Sequence, residues 1–247
     1  MSARDDFFVG YLPMPPRLRW FSLGFAGFAV LLAGILALAV ALTQGHPGEG
    51  LRPHEAGRSF RGVLLERPYP HLRYVDENGA FRTLLFTSSG KSGIEVANGG
   101  GSVTVTGTLL ERDGTRLMAG PEFAPIDGSD VAFLPRLRGL TDIELGHAVL
   151  EGEIVDSKCY LGAMRPGGGA AHRACAQMCI AGGIPPILVL READGRERHV
   201  LLCSADEMPV NDLVLPFVAE PVRCEGELIR RAGLPILRLA PDGITRR

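Results

Sequence analysis

The chain has 247 residues, a formal net charge of −2 and 6% aromatic residues. Near-neutral charge with few aromatics excludes a basic, base-stacking nucleic-acid surface. Five cysteines are an odd number, so at least one is a free thiol, a metal ligand or a bond to another chain.

Residues 1–19 read as a cytoplasmic leader whose FFVGYLPMPP stretch is broken by prolines and suits the membrane interface or a membrane partner. Residues 20–43, WFSLGFAGFAVLLAGILALAVALT, carry no charge and match the length of a single bilayer span. Arg17 and Arg19 precede this segment, and no further lysine or arginine follows it until Arg52. The positive-inside tendency predicts a cytoplasmic N-terminus and an extracytoplasmic C-terminal part, periplasmic in a bacterium. Ala33, Ala37 and Ala41 form a small-residue stripe of ordinary composition. Residues 44–57 read as a Gly/Pro/His-rich tether in which His46 and His54 are solvated.

From Arg58 the pattern changes to short strands. FRGVLLE, HLRYV, FRTLLF, SVTVTGTLLE and TRLMA alternate with turn-rich ENG, SSGKSG, NGGG and RDG. A helical turn is expected over Ser92–Ala97. Five short strands predict a small OB-like β-barrel over 58–125, then a connector, 126–147, with a short helix after Arg136. Residues 148–247 repeat the pattern. Gly62 matches Gly152, Leu85-Phe86 matches Leu202-Cys203, and Val103–Leu109 matches Val222–Leu228. The offset grows from 90 at the first strand to 117 at the third, so 27 residues (117 − 90) enter between them. The predicted fold is therefore mainly β: a transmembrane helix and two tandem OB-like barrels, the second with an insertion at 156–184.

That insertion holds Asp156, Cys159, His172, Cys175 and Cys179. AAHRACAQMCIA has a helical look and stops at Gly182-Gly183, and on such a helix His172, Cys175 and Cys179 share one face. Cys159 sits just past the preceding strand, where a Gly/Pro-rich loop can fold it back. The first copy has no cysteine, so the barrel architecture does not require this trio. Cys203 and Cys224 fall on strand positions and read as small buried hydrophobes, or as a disulfide pair if their Cα atoms approach within about 7 Å.

Three chemistries fit the cluster. A disulfide can join Cys159 to Cys175 or Cys179 in an oxidising compartment. Cys159, His172, Cys175 and Cys179 can bind zinc, or copper(I) with Met164 or Met178 nearby, Asp156 being a ligand or a partner of the imidazole. A thiolate at Cys175 or Cys179, favoured by His172, Arg173 and a helix N-terminus, can exchange disulfides. His71, His147 and His199 read as isolated surface or strand residues. Gly167–Gly169 reads as a hinge before the helix, with a weaker possibility of anion binding.

The run Asp156-x-x-Cys159, His172-x-x-Cys175-Ala-x-x-Cys179, followed by Gly-Ile-Pro-Pro, resembles a group of bacterial membrane-anchored or exported proteins bearing this pattern on a small β domain. The resemblance covers Gly152–Leu190 and carries over no catalytic activity. It implies an inner-membrane-tethered, extracytoplasmic protein. The expected function is that of an accessory or assembly protein beside a membrane or periplasmic redox or metal-handling partner. The competing expectation is a thiol-disulfide oxidoreductase using Cys175 or Cys179.

Overall fold

A computed structural model describes residues 14–43, 55–96, 101–126, 134–192 and 194–247. His46, His54 and the leader up to residue 13 lie outside these. The chain divides into two compact units, Met1–Gly48 and Glu49–Arg247.

In the first unit, α1 spans Pro16–Thr43, none of its residues is buried, and its mean hydropathy reaches 2.6 over an 18-residue window. At 1.5 Å per residue it is about 42 Å long, and it is long and apolar enough to cross a membrane. The helix begins one turn before the predicted Trp20. Pro16 is tolerated there because a first-turn residue has no intrahelical N–H bond to lose.

The second unit contains two closed five-stranded barrels. In the first, β1 (Glu55–Leu65), β2 (His71–Val75), β3 (Phe81–Thr87), β4 (Ser102–Arg112) and β5 (Thr115–Pro125) close in the order β1-β2-β3-β5-β4. A short helix, α2 (Leu134–Arg138), follows. In the second barrel, β6 (Ile143–Asp156), β7 (Pro186–Arg191), β8 (Glu197–Ser204), β9 (Pro221–Arg231) and β10 (Leu234–Arg246) close as β6-β7-β8-β10-β9. The strand order is the same, and in each barrel the third and fifth strands pair in parallel. This is the OB-like arrangement expected from five short strands with tight turns. The predicted turn of helix after Ser92 is absent from its described part, Ser92–Val96. Strand β5 runs on to Pro125, beyond the predicted Ala119, with Gly120 at φ +61° where β4 and β5 shift register.

Backbone pairing defines the internal repeat. Gly62 lies opposite Val103 and Gly152 opposite Val222, so the offsets of 90 and 119 hold. Each glycine is there for one reason. A Cβ on Gly62 would meet the Arg73 carbonyl oxygen at 2.1 Å, and one on Gly152 the Val189 oxygen at 2.3 Å. The β-bulge recurs too, between Glu55 and Arg58 in β1 and between Glu144 and Gly146 in β6.

The third strand corrects the sequence comparison. Leu85 pairs with Leu117, and Leu201 with Ile236, 119 residues after Leu117. Leu85 therefore corresponds to Leu201, an offset of 116. The second strands give the same value, because His71 faces Leu85 and Ile187 faces Leu201. The insertion is 26 residues (116 − 90) and enters between the first and second strands. Cys203 takes the place of Thr87, not Phe86. A one-residue slip moves a side chain to the opposite face, so similarity of residue type was a poor guide to register.

The barrels share a core. Tyr69, Leu85, Leu110 and Leu117 of the first cluster with Val155, Tyr160, Ile187, Leu201 and Ile236 of the second. A part-buried ion network reinforces this seam. Arg231 of β9 bonds Asp142 at 2.5 Å and Glu207 at 2.7 Å, and donates to the Arg67 carbonyl at 3.0 Å. Arg73 of β2 reaches the same Asp142 at 3.1 Å.

His71 of β2 and His199 of β8 are strand residues, as expected, and both are buried at this seam rather than at the surface. His71 Nδ1 sits 2.8 Å from the Tyr69 oxygen, and His199 Nδ1 3.1 Å from Thr115 Oγ1. Burial, more than any neighbouring charge, lowers the pKa of each from 6.5 to about 4. The unfolded chain binds these protons first, so stability is fully present above pH 6.5 and is lost as pH falls toward 4. We expect a loss of up to about 3 kcal/mol per histidine. The urea midpoint of detergent-solubilised protein should drop across this window, and His71→Gln should flatten part of the drop. A midpoint constant from pH 7 to 4.5 contradicts this account.

Candidate metal centre

The insertion is anchored at both ends by the second barrel. At the end of β6, Ser157 N–H donates to the Pro185 oxygen at 3.1 Å, which joins the two stems. Asp156 Oδ1 accepts the Cys159 N–H at 2.8 Å and turns the chain sharply after the strand. The turn continues through Cys159–Ala163, with Gly162 at φ +151°. Gly167 then passes under Tyr160, where a Cβ would lie 2.7 Å from the Tyr160 Cα.

A 3₁₀ turn, Ala170–His172, leads into α3, Arg173–Ala181. Ala176 and Ile180 pack into the second barrel's core with Ile154, Leu188 and Val200. Gly182 and Gly183 end the helix as predicted, Gly183 at φ +95°. Asn211 Nδ2 satisfies the Ile180 and Ile184 carbonyls at 2.7 and 2.9 Å. Ile184 N–H returns to the Cys179 oxygen at 3.1 Å. The helix therefore cannot rotate without breaking these contacts.

All five predicted site residues come together. Ligand atoms of Cys159, His172 and Cys175 lie within 4.8 Å of one another, as do those of Asp156, Cys159 and Cys179. Cys159 belongs to both groups. Its Sγ is 4.0 Å from Cys179 Sγ. His172 Nε2 lies 3.1 Å from Asp156 Oδ2, and both side chains are buried. Cys159 and Cys179 are buried with Ile184, while Cys175 is half-buried at the edge, its Sγ 4.0 Å from Met164 Sδ.

Burial, and after it the Asp156 carboxylate, pushes the Cys159 thiol well above its ordinary range and Cys179 up to about 11. Arg173 does not offset this, because its guanidinium pairs with Glu220 and donates to the Val218 oxygen. The expected electropositive environment for a reactive thiolate is therefore not what these two sulfurs meet.

All five cysteines are free. The 4.0 Å between Cys159 and Cys179 is about twice a disulfide bond length. Cys203 and Cys224 are buried in different core clusters, as the small-hydrophobe reading expects. Gly169 N–H is taken by the Glu153 carboxylate, so it does not serve an anion. His199 does have a cluster, since its ring lies within 4.8 Å of Asp113 and Glu197 oxygens. Arg112 already neutralises that acidic pair, at 2.8 Å from Glu197 and 3.8 Å from Asp113.

Sequence reasoning missed the contribution of the first barrel. Lys158 Nζ donates to the Ser88, Ser89 and Gly90 carbonyls at 2.8, 2.7 and 2.7 Å. Gly93 N–H donates to the Gly182 oxygen at 2.8 Å. A Cβ on Gly182 would meet the Lys91 oxygen at 2.1 Å, and one on Gly93 the Gly183 oxygen at 2.4 Å. The SSGKSG loop thus lies against the cluster. One signal was available: Lys158 is one of only two lysines and adjoins a cluster cysteine.

No protein-family model matches this chain, and no curated protein does. Among solved structures, it is similar to a deletion mutant of the single-stranded DNA binding protein from Thermus aquaticus, at 12% identity and a TM-score of 0.24. The match covers 76% of this chain and 92% of that one. Superposition at that level does not bear on what this chain binds.

Proposed function

We propose that the second barrel binds one thiophilic metal ion through Cys159, His172, Cys175 and Cys179. In this reading Asp156 holds the imidazole, and the chain is a membrane-tethered accessory protein of a metal-handling or redox partner. The observation that carries the proposal is the meeting of two ligand groups at a single buried sulfur, Cys159. The donor set fits the ion. A tetrahedral zinc site with Zn–S bonds of about 2.3 Å places its sulfurs about 3.8 Å apart. The Cys159–Cys179 separation of 4.0 Å is close to that edge.

Asp156 engages Nε2 of His172 and leaves Nδ1 for the ion, the usual carboxylate–histidine–metal arrangement. Thiols that burial keeps protonated ionise when a cation arrives, so binding releases protons and strengthens as pH rises. The same burial weighs against thiol-disulfide exchange at Cys159 and Cys179, which needs an accessible thiolate.

In this proposal α1 is the single span, and Arg17 and Arg19 keep the N-terminus in the cytoplasm. The two barrels, tandem OB-like units from one repeated pattern, then stand on the periplasmic side of an inner membrane. The repeat supports the reading of the insertion as an addition for function, because the first barrel closes without it.

The test is metal analysis with thiol titration on the same sample of full-length protein. Near-stoichiometric zinc or copper, reduced by His172→Ala, is expected. Metal-free protein with the three cysteines oxidised overturns the reading. Asp156→Asn should lower affinity by about 10–100-fold in competition with a chromophoric chelator, since it loses the charge that orients His172. An unchanged affinity removes Asp156 from the site.

A further inference from the structure

We infer that the ion is copper(I) and is cargo, and that Met164 with Cys175 forms the gate through which it is handed to an acceptor. This rests on the metal reading above and adds the ion's identity and its exit.

The donors are graded from inside to outside. Cys159 and Cys179 are buried at 4% and 1% exposure, Cys175 is half-buried, and Met164 is 45% exposed. Met164 Sδ stands 4.0 Å from Cys175 Sγ, so a line of sulfurs runs from the interior to the surface. Met178, 60% exposed, follows Cys175 by three residues, one turn along the same helix.

A structural zinc site closes around its four ligands and gains nothing from a thioether, which zinc binds poorly. Copper(I) takes thioether readily and accepts low coordination numbers, so it can move between sulfurs one bond at a time. Asn211 holds the end of α3 and Lys158 ties the start of the insertion to the first barrel, so the exposed side chain of Met164 forms the outer edge of the site.

Transfer is ligand exchange. Copper bonds to Cys159, Cys179 and His172 break while the Cys175 bond is kept and one to Met164 forms; bonds to the acceptor's sulfur or imidazole donors then replace those to Cys175 and Met164. Protons return to the vacated thiolates, and copper stays in the +1 state, so no oxidant or reductant is needed. The partner is defined by this chemistry as a protein with an exposed thiolate, thioether or imidazole copper site.

The experiment uses full-length protein in detergent micelles, loaded anaerobically with copper(I) and mixed by stopped flow with bathocuproine disulfonate. Met164→Leu should release copper about tenfold more slowly than wild type, a loss of about 1.4 kcal/mol of transition-state stabilisation. Met208→Leu, exposed elsewhere at 43%, should behave as wild type. Zinc-loaded Met164→Leu should release zinc to its chelator at the wild-type rate. Copper release unaffected by Met164→Leu overturns the inference, and so does equal slowing of zinc. Protein that retains zinc but not copper(I) also overturns it while leaving the metal site standing. Protein that retains neither ion removes both.

Discussion

Cys159→Ser is expected to weaken metal binding by more than about 100-fold, the largest loss of any single change in the cluster. A structural zinc site of four ligands is worth about 10–16 kcal/mol, so one thiolate contributes about 3 kcal/mol. Cys159 loses more than an edge ligand because its sulfur is the atom common to both donor groups. Serine keeps the backbone N–H that Asp156 accepts, so the turn after β6 survives the exchange. Chelator competition on the full chain reads the affinity, and circular dichroism verifies the fold. Cys175→Ser, at the half-buried edge, should cost less. If Cys159→Ser binds as well as wild type, the two groups do not share an ion.

Asp142→Ala is expected to destabilise the barrel unit by about 3–5 kcal/mol. Asp142 is the acceptor on which Arg73 of the first barrel and Arg231 of the second converge. Removing it takes from Arg73, 11% exposed, the carboxylate it pairs with, and leaves Arg231, 7% exposed, with Glu207 alone to serve it and Arg238. An uncompensated buried charge costs far more than the net value of the original pair. Glu144→Ala is the control. Its partner is Arg238, but its side chain is 63% exposed, so the loss should stay below about 1 kcal/mol. The comparison is made by urea unfolding, with equal slopes showing that only stability has changed. An Asp142→Ala loss no larger than the Glu144→Ala loss contradicts the seam account.

The barrels were legible because strand signals are local. Alternation in HLRYV and FRTLLF, with Gly- and Asn-rich turns between, places β2 and β3 within a residue of where they lie. The cysteine cluster was legible because steps of three and four put His172, Cys175 and Cys179 on one helical face. The return of Cys159 was expected from a Gly/Pro-rich loop, and the Asp156 carboxylate that accepts the Cys159 N–H adds the turn after β6.

What was not legible depends on long-range contact. Nothing near Asp142 announces that two arginines from different barrels meet on it. His71 and His199 look like ordinary strand residues until the seam buries them. Lys158 finds three carbonyls about 70 residues away, and no local periodicity encodes such a partner. Register failed for a related reason. Leu-Phe and Leu-Cys look alike in the sequence, yet hydrogen bonding to the parallel fifth strand sets the alignment one residue away. Hence Cys203 stands where the first barrel has Thr87, an equally buried position.

X-ray absorption at the metal edge of the full-length, metal-loaded protein reads the ligand shell itself. A shell dominated by sulfur at about 2.3 Å is expected, with one imidazole nitrogen at about 2.0 Å that disappears in His172→Ala. A shell of oxygen and nitrogen alone, unaffected by replacement of Cys159, would contradict the Cys–His site.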